Sequence, residues 1–422
     1  MNQRVANAWG ETFRSMHVRN FRLFFGGQLI SQIGNWLTLI AQTLLVLKLT
    51  DSGLAVGFLA ACQFLPVLLF GAWSGLVADR SDKRKLLMIV QSFAMLQSFA
   101  LAFLAFMDKP PLPALFLVAL AGGFATAFDN PARRAFVVEM VPQENVQNAV
   151  SLNSALMTGS RVIGPAFAGL LIATVGFGWC FLVDGLSYLA VLAGLKMMRT
   201  EELRVPLPTP RSKGQVRAGI RYARSVPELW VPLVMMTIIG ALAFNFNVVM
   251  PLFVTRTLHG SDTTFTLLYS VVSVGSLIGA LHTARKTSTS VRQVVLGAAS
   301  FGVAMLLLAA APTLSVALPL AMLMGLTSIT FMTASTAIVQ MRADPAMRGR
   351  VLALQAIVFL GTTPIGGPLL GWIIEEFGAR VGLAVGGVAC LVAAVFGELA
   401  PRRAGHCDPP AAPVAPGQLI PG

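Results

Sequence analysis

Twelve long apolar stretches joined by short connections dominate this chain of 422 residues. Each is long enough to cross a bilayer, which takes ~20 helical residues. Hydrocarbon offers no partner to exposed backbone N–H and C=O groups, so such a segment must bond to itself as a helix. The sequence therefore predicts an all-α integral membrane protein. Its spans are expected at 21–47, 54–78, 86–107, 112–131, 148–175, 177–198, 231–255, 264–284, 293–311, 314–340, 350–375 and 380–400. Charged residues make up 12% of the chain. An average soluble domain carries about 25%, so a soluble fold is excluded before any motif is weighed.

The connections divide the spans into two sets of six. Residues 1–20 form an N-terminal segment, 21–198 a first six-helix bundle, 199–230 a linker, 231–400 a second bundle and 401–422 a disordered tail. The linker is basic and punctuated by Pro206, Pro208 and Pro210. In its second part Val216, Ile220 and Ala223 fall on one side and Arg217, Arg221 and Arg224 on the other. That spacing predicts a short amphipathic helix on the membrane surface. A shift of 203 residues lays Pro142 on Pro345, and Gly164 and Pro165 on Gly367 and Pro368. Six spans per half make this a parallel repeat, two bundles related about the membrane normal.

Of the 31 Lys and Arg residues, 26 lie on the termini and even-numbered connections and four on the odd-numbered side. The positive-inside rule then puts both termini in the cytoplasm. The net charge of +13 does not point to nucleic acid, because the basic residues are dispersed along membrane edges facing an anionic leaflet. Cys62, Cys180, Cys390 and Cys407 have neither redox nor metal-ligand spacing. The four histidines lack a nucleophile or metal partner at motif spacing, so no catalytic residue, metal or cofactor is expected.

Three segments carry more specific information. Between spans 2 and 3 stand Gly75, Asp79, Arg80, Arg84 and Lys85. Glycine permits close helix approach, and an aspartate there can meet the orphan N–H groups of a neighbouring helix start. At the end of span 4 come Asp129, Asn130, Pro131, Arg133 and Arg134. In span 5, Gly159, Gly164, Pro165 and Gly169 keep the helix thin and allow it to bend. Together these segments resemble the major facilitator superfamily, in particular its bacterial twelve-helix drug:proton antiporter branch, which includes macrolide-efflux and siderophore-export proteins. The resemblance implies a cytoplasmic gate built on the first segment, with Arg133 or Arg134 available to Asp79. It also implies an exporter signature in span 5. The sequence departs from the pattern at Asp82, where the family usually has glycine.

Charges inside a bilayer are costly and are functional candidates by default. Arg161 falls near the middle of span 5 and Asp184 in the outer part of span 6. They are partners if the helices face each other; otherwise Asp184 meets outer water and Arg161 backbone carbonyls. Asp129, Arg161 and Asp184 are the candidates for proton coupling. Gln28, Gln32, Asn35 and Gln42 recur at steps that put them on one face of span 1, too costly a stripe to face lipid. With Asn245, Asn247 and Tyr269 they are the candidate lining of a substrate cavity. The expectation is a monomeric secondary transporter that exports small hydrophobic or amphipathic organic compounds by alternating access and proton antiport. On residues alone an uptake or lysophospholipid carrier of the same fold, or a non-transporting scaffold, stays open.

Overall fold

A computed structural model describes residues 12–204, 215–284 and 289–403. The expectations for residues 1–11, for Pro206, Pro208 and Pro210, and for the tail from 404 onward lie outside the described residues. Twelve helical spans are described, all long and apolar enough to cross a membrane. Ten follow the predicted pattern: Arg19–Thr50, Gly53–Arg80, Lys83–Ala105, Leu112–Glu139, Val146–Thr174 and Phe177–Lys196 in the first half, and Asp262–Ala284, Val291–Ala310, Leu314–Arg342 and Ala379–Arg403 in the second.

Spans 7 and 11 are broken where continuous helices were expected. Span 7 consists of Pro227–Leu242, Phe246–Leu252 and a widened turn, Phe253–Thr257. At its break Asn245 donates from Nδ2 to the carbonyl of Ala241 at 2.7 Å, so a side chain replaces a ladder bond. Span 11 consists of Pro345–Gly361 and Thr363–Phe377. Pro364 has no N–H to give the preceding turn, and Thr362 Oγ1 bonds back to the carbonyl of Val358 at 2.9 Å.

Span 1 packs on spans 5 and 6, span 2 on span 4, and span 3 on spans 4 and 6. Six spans on, the same neighbours recur: span 7 with 11 and 12, span 8 with 10, and span 9 with 10 and 12. The halves meet along two seams, span 2 against span 11 and span 5 against span 8. The linker helix Gln215–Ser225 forms, with Arg217, Arg221 and Arg224 exposed and Ala223 buried. It docks on the second half: a Cβ on Gly219 would meet Leu354 and Arg350 of span 11, and Tyr222 Oη accepts the backbone N–H of Asp344 at 2.9 Å.

The seams are closed by backbone contact at one face and leave open space beside two glycines toward the other. We call the face that carries span 1's start and span 6's end the terminal face, and the opposite one the far face. At the far face Gly53 and Gly57 of span 2 lie one turn apart and oppose Gly371 and Gly367 of span 11. A Cβ on Gly57 would stand 2.9 Å from the Cα of Pro368. Small residues at i and i+4 on both helices let the backbones touch. Toward the terminal face, Gly75 and Gly159 have open space where a Cβ would be.

Loop charges finish the helix ends. Arg84 donates from Nε to the carbonyl of Leu195 at 2.6 Å, at the end of span 6. Arg380 reaches the carbonyls of Ala309 and Ala311, at the end of span 9, at 2.8 and 2.9 Å. Each cation meets orphan carbonyls at the negative end of a helix dipole. Asp82 is the N-cap of span 3, its carboxylate accepting the N–H of Lys85 at 3.1 Å. Its φ of −61° needs no glycine, so the departure from the family pattern is a cap.

Candidate functional site

The polar face of span 1 turns inward toward a cavity of about 270 Å³ inside the first half. Gln32, Asn35, Trp36 and Gln42 of span 1 line it, with Gln63 of span 2, Gln91 and Gln97 of span 3, Asp129 and Arg133 of span 4 and Tyr188 of span 6. The amides also bind the helices to one another. Gln63 donates to Gln42 at 2.9 Å, Gln42 to the carbonyl of Leu115 at 3.3 Å, and Gln32 to Gln28 at 3.3 Å. Gln28 itself is buried below the lining.

Asp129 and Arg133 sit one turn apart on span 4. Arg133 Nε lies 3.2 Å from Asp129 Oδ2, and both side chains are largely buried. The other carboxylate oxygen of Asp129 accepts from Gln91 at 2.6 Å. Arg133 also donates to Asn130 Oδ1 at 2.9 Å and contacts Met157 Sδ of span 5 at 3.2 Å. The described partners of Arg133 are therefore in its own half. Asp79 and Arg80 are exposed at the terminal end of span 2, and Arg84 caps span 6. Lys85 stays at the surface, 3.8 Å from Asp82.

Asp184 is fully buried, not in outer water. One carboxylate oxygen accepts from Thr38 at 2.6 Å and from Ser98 at 2.7 Å. The other has no hydrogen-bond partner and packs on Gly34. The structure does not join Asp184 to Arg161. Arg161 is exposed, its guanidinium 5.9 Å from the ring centre of Trp36. Trp36 in turn lies 6.0 Å from Tyr269 of span 8, whose hydroxyl donates to Asn247 of span 7 at 2.8 Å. Residues of spans 1, 5, 7 and 8 thus meet at one point across the seam.

The span 5 signature grades along this seam. Gly159 faces open space, Gly164 would place a Cβ 2.8 Å from Cγ of Trp36, and Gly169 packs on Thr266 of span 8. Pro165 is buried inside the helix. Asn245, expected in the cavity, is buried at the break of span 7, and its amide serves the backbone there.

Three further features carry no mark in the expected motifs. Lys83 and Glu139 form a buried ion pair at 2.6 Å between spans 3 and 4. At the far face Arg256 reaches the backbone carbonyl of Asp51 and lies 3.5 Å from Glu375, which accepts the N–H of Gly53 at 2.6 Å. Tyr188 donates to Asn35 at 2.7 Å beside Asp184. Their parents in sequence are single polar residues at helix ends or in apolar runs, and only the fold pairs them.

Two pseudo-symmetric six-helix bundles closed around a central space are the architecture of major facilitator carriers. A bacterial homologue of the human lysosomal transporter Spinster, solved inward-facing and unoccupied, superposes with a TM-score of 0.73 at 15% identity, over 91% of this chain and 96% of that one. The profile of the family described as "Transmembrane secretion effector" matches residues 11–412, and the chain belongs to that family. Among curated relatives, the staphyloferrin A transporter of Staphylococcus aureus is 24% identical over 85% of this chain and 90% of that protein. Macrolide efflux protein A of Streptococcus pyogenes is 23% identical over the same shares.

Proposed function

We propose that this protein exports small amphipathic organic compounds from the cytoplasm, by alternating access and in exchange for protons. The observation that carries the reading is the asymmetry of the seams. Glycine contacts and the Arg256–Glu375 pair close the far face, while Gly75 of span 2 and Gly159 of span 5 face open space toward the terminal face. The basic bias assigns the terminal face, with both chain ends, to the cytoplasm of the inner membrane. The central space is then loaded from the cytoplasm, and a relative named for macrolide efflux favours the outward direction.

The site divides into two jobs. Trp36, Arg161, Tyr269 and Asn247 meet where the halves touch, so a molecule held there is felt by both bundles. Asp184 and Asp129 lie in the first half, beside that point. Asp184 is held by hydroxyls rather than a cation, so it can exchange a proton without breaking an ion pair. Asp129 shares Arg133 and Gln91, and its release would free Arg133 toward the cavity. Gly75, Asp79 and Arg80 form the cytoplasmic gate that closes when the far face opens. The working unit is one chain in the bilayer, with no metal or cofactor.

The test uses proteoliposomes with an imposed pH gradient and a fluorescent dye. Wild-type protein is expected to accumulate dye in the direction opposite to proton flow, and Asp79→Asn to abolish it. Dye movement that ignores the gradient would defeat the proton exchange. No dye movement with any gradient would defeat the export reading.

A further inference from the structure

The central cation is unusual in what surrounds it. Arg161 sits mid-span, where an unpaired charge costs several kcal/mol unless it is wetted or partnered. The other charges of the site have partners: Arg133 has Asp129, and Asp184 has Thr38 and Ser98. The described contact of Arg161 is the face of Trp36, and a ring quadrupole offers only about 0.5–1 kcal/mol at a wet site. The guanidinium is also held for use. Trp36 is seated against Gly164, whose missing Cβ makes room for it, and the indole lies beside the exposed guanidinium while meeting Tyr269 of the other half. From the other half come the ring of Tyr269 and the amide of Asn247. An aromatic floor, an amide and a forked cation complement a flat apolar body bearing a planar anion.

We infer that Arg161 is a specificity-determining residue that binds the carboxylate of an amphipathic, aromatic substrate, so that this carrier selects organic anions over lipophilic cations. The guanidinium fork matches a carboxylate through two parallel N–H···O bonds, which a compact ammonium cannot reproduce. The inference rests on the central space being the substrate site. It replaces the expected pairing of Arg161 with Asp184.

The experiment compares two xanthene dyes of similar size and opposite charge, fluorescein and rhodamine 6G, binding to the full chain in phosphatidylcholine nanodiscs, read by fluorescence anisotropy. Wild-type protein is expected to bind fluorescein more tightly than rhodamine 6G. Arg161→Gln is expected to weaken fluorescein by about tenfold, the size of one hydrogen bond to a charged group, and to leave rhodamine 6G unchanged. Arg161→Lys, which keeps the charge and loses the fork, is expected to fall between. Equal affinity of wild-type protein for the two dyes, no binding of fluorescein, or equal weakening of both dyes in Arg161→Gln would overturn the assignment. The assay reads binding and not movement. A protein that binds with the expected pattern yet moves no dye supports the assignment and counts against export alone.

Discussion

Gly57→Leu tests the far-face seam directly. A Cβ on Gly57 would stand 2.8 Å from the carbonyl carbon of Gly367 and 2.9 Å from the Cα of Pro368. These are backbone atoms of another helix, so no rotamer change relieves the clash. Overpacking of this kind costs about 1–3 kcal/mol. The cost falls on the state in which the far face is closed and not on one in which spans 2 and 11 have separated there. The ratio of the two states should therefore shift by about 5–150-fold toward the far-open form. The assay is pulsed electron spin resonance with labels at Lys109→Cys and Thr313→Cys, which are exposed on far-face loops of opposite halves, after the native cysteines are replaced. A longer distance should become populated. An unchanged distribution in a protein that melts as the parent does would refute the idea that glycine contact holds this face shut.

Lys83→Met should destabilise the protein by about 3–5 kcal/mol, because it leaves the carboxylate of Glu139 buried and unpaired; thermal melting should show most of the loss recovered in Lys83→Met combined with Glu139→Leu. Arg84→Ala removes the cap on the carbonyl of Leu195 and should cost about 1 kcal/mol, with dye binding unchanged in the same preparation. Asp184→Asn should keep dye binding and lose gradient-driven accumulation. Accumulation that persists in that variant would move the proton site to Asp129.

Much of the fold was legible because bilayer physics leaves few choices. Span number, the two halves and the polar face of span 1 follow from length, charge bias and period. The breaks in spans 7 and 11 did not follow, since a proline or asparagine inside an apolar run reads equally as a kinked or a continuous helix. Pro364 and Asn245 decide only once the neighbouring helix is in place. The site was legible as a list of residues rather than as pairs. Arg161 and Asp184 are the charges inside neighbouring spans 5 and 6, and their opposite signs invite a pairing, but Asp184 is held by Thr38 and Ser98 and Arg161 lies over Trp36. Trp36 stands next to Asn35, and nothing beside it in the sequence points to Gly164, which accommodates it. The Arg256–Glu375 pair joins residues more than a hundred positions apart, and no periodicity links them.

Alternating access requires that the two bundles open the cavity to one face at a time. Its most direct test follows two distances at once by single-molecule fluorescence, Lys109 to Thr313 across the far face and Gln143 to Arg292 across the terminal face, while pH and fluorescein concentration are varied. The distances are expected to change in opposite senses, one lengthening as the other shortens. Both faces opening together, or neither moving while dye is carried across the membrane, would contradict it.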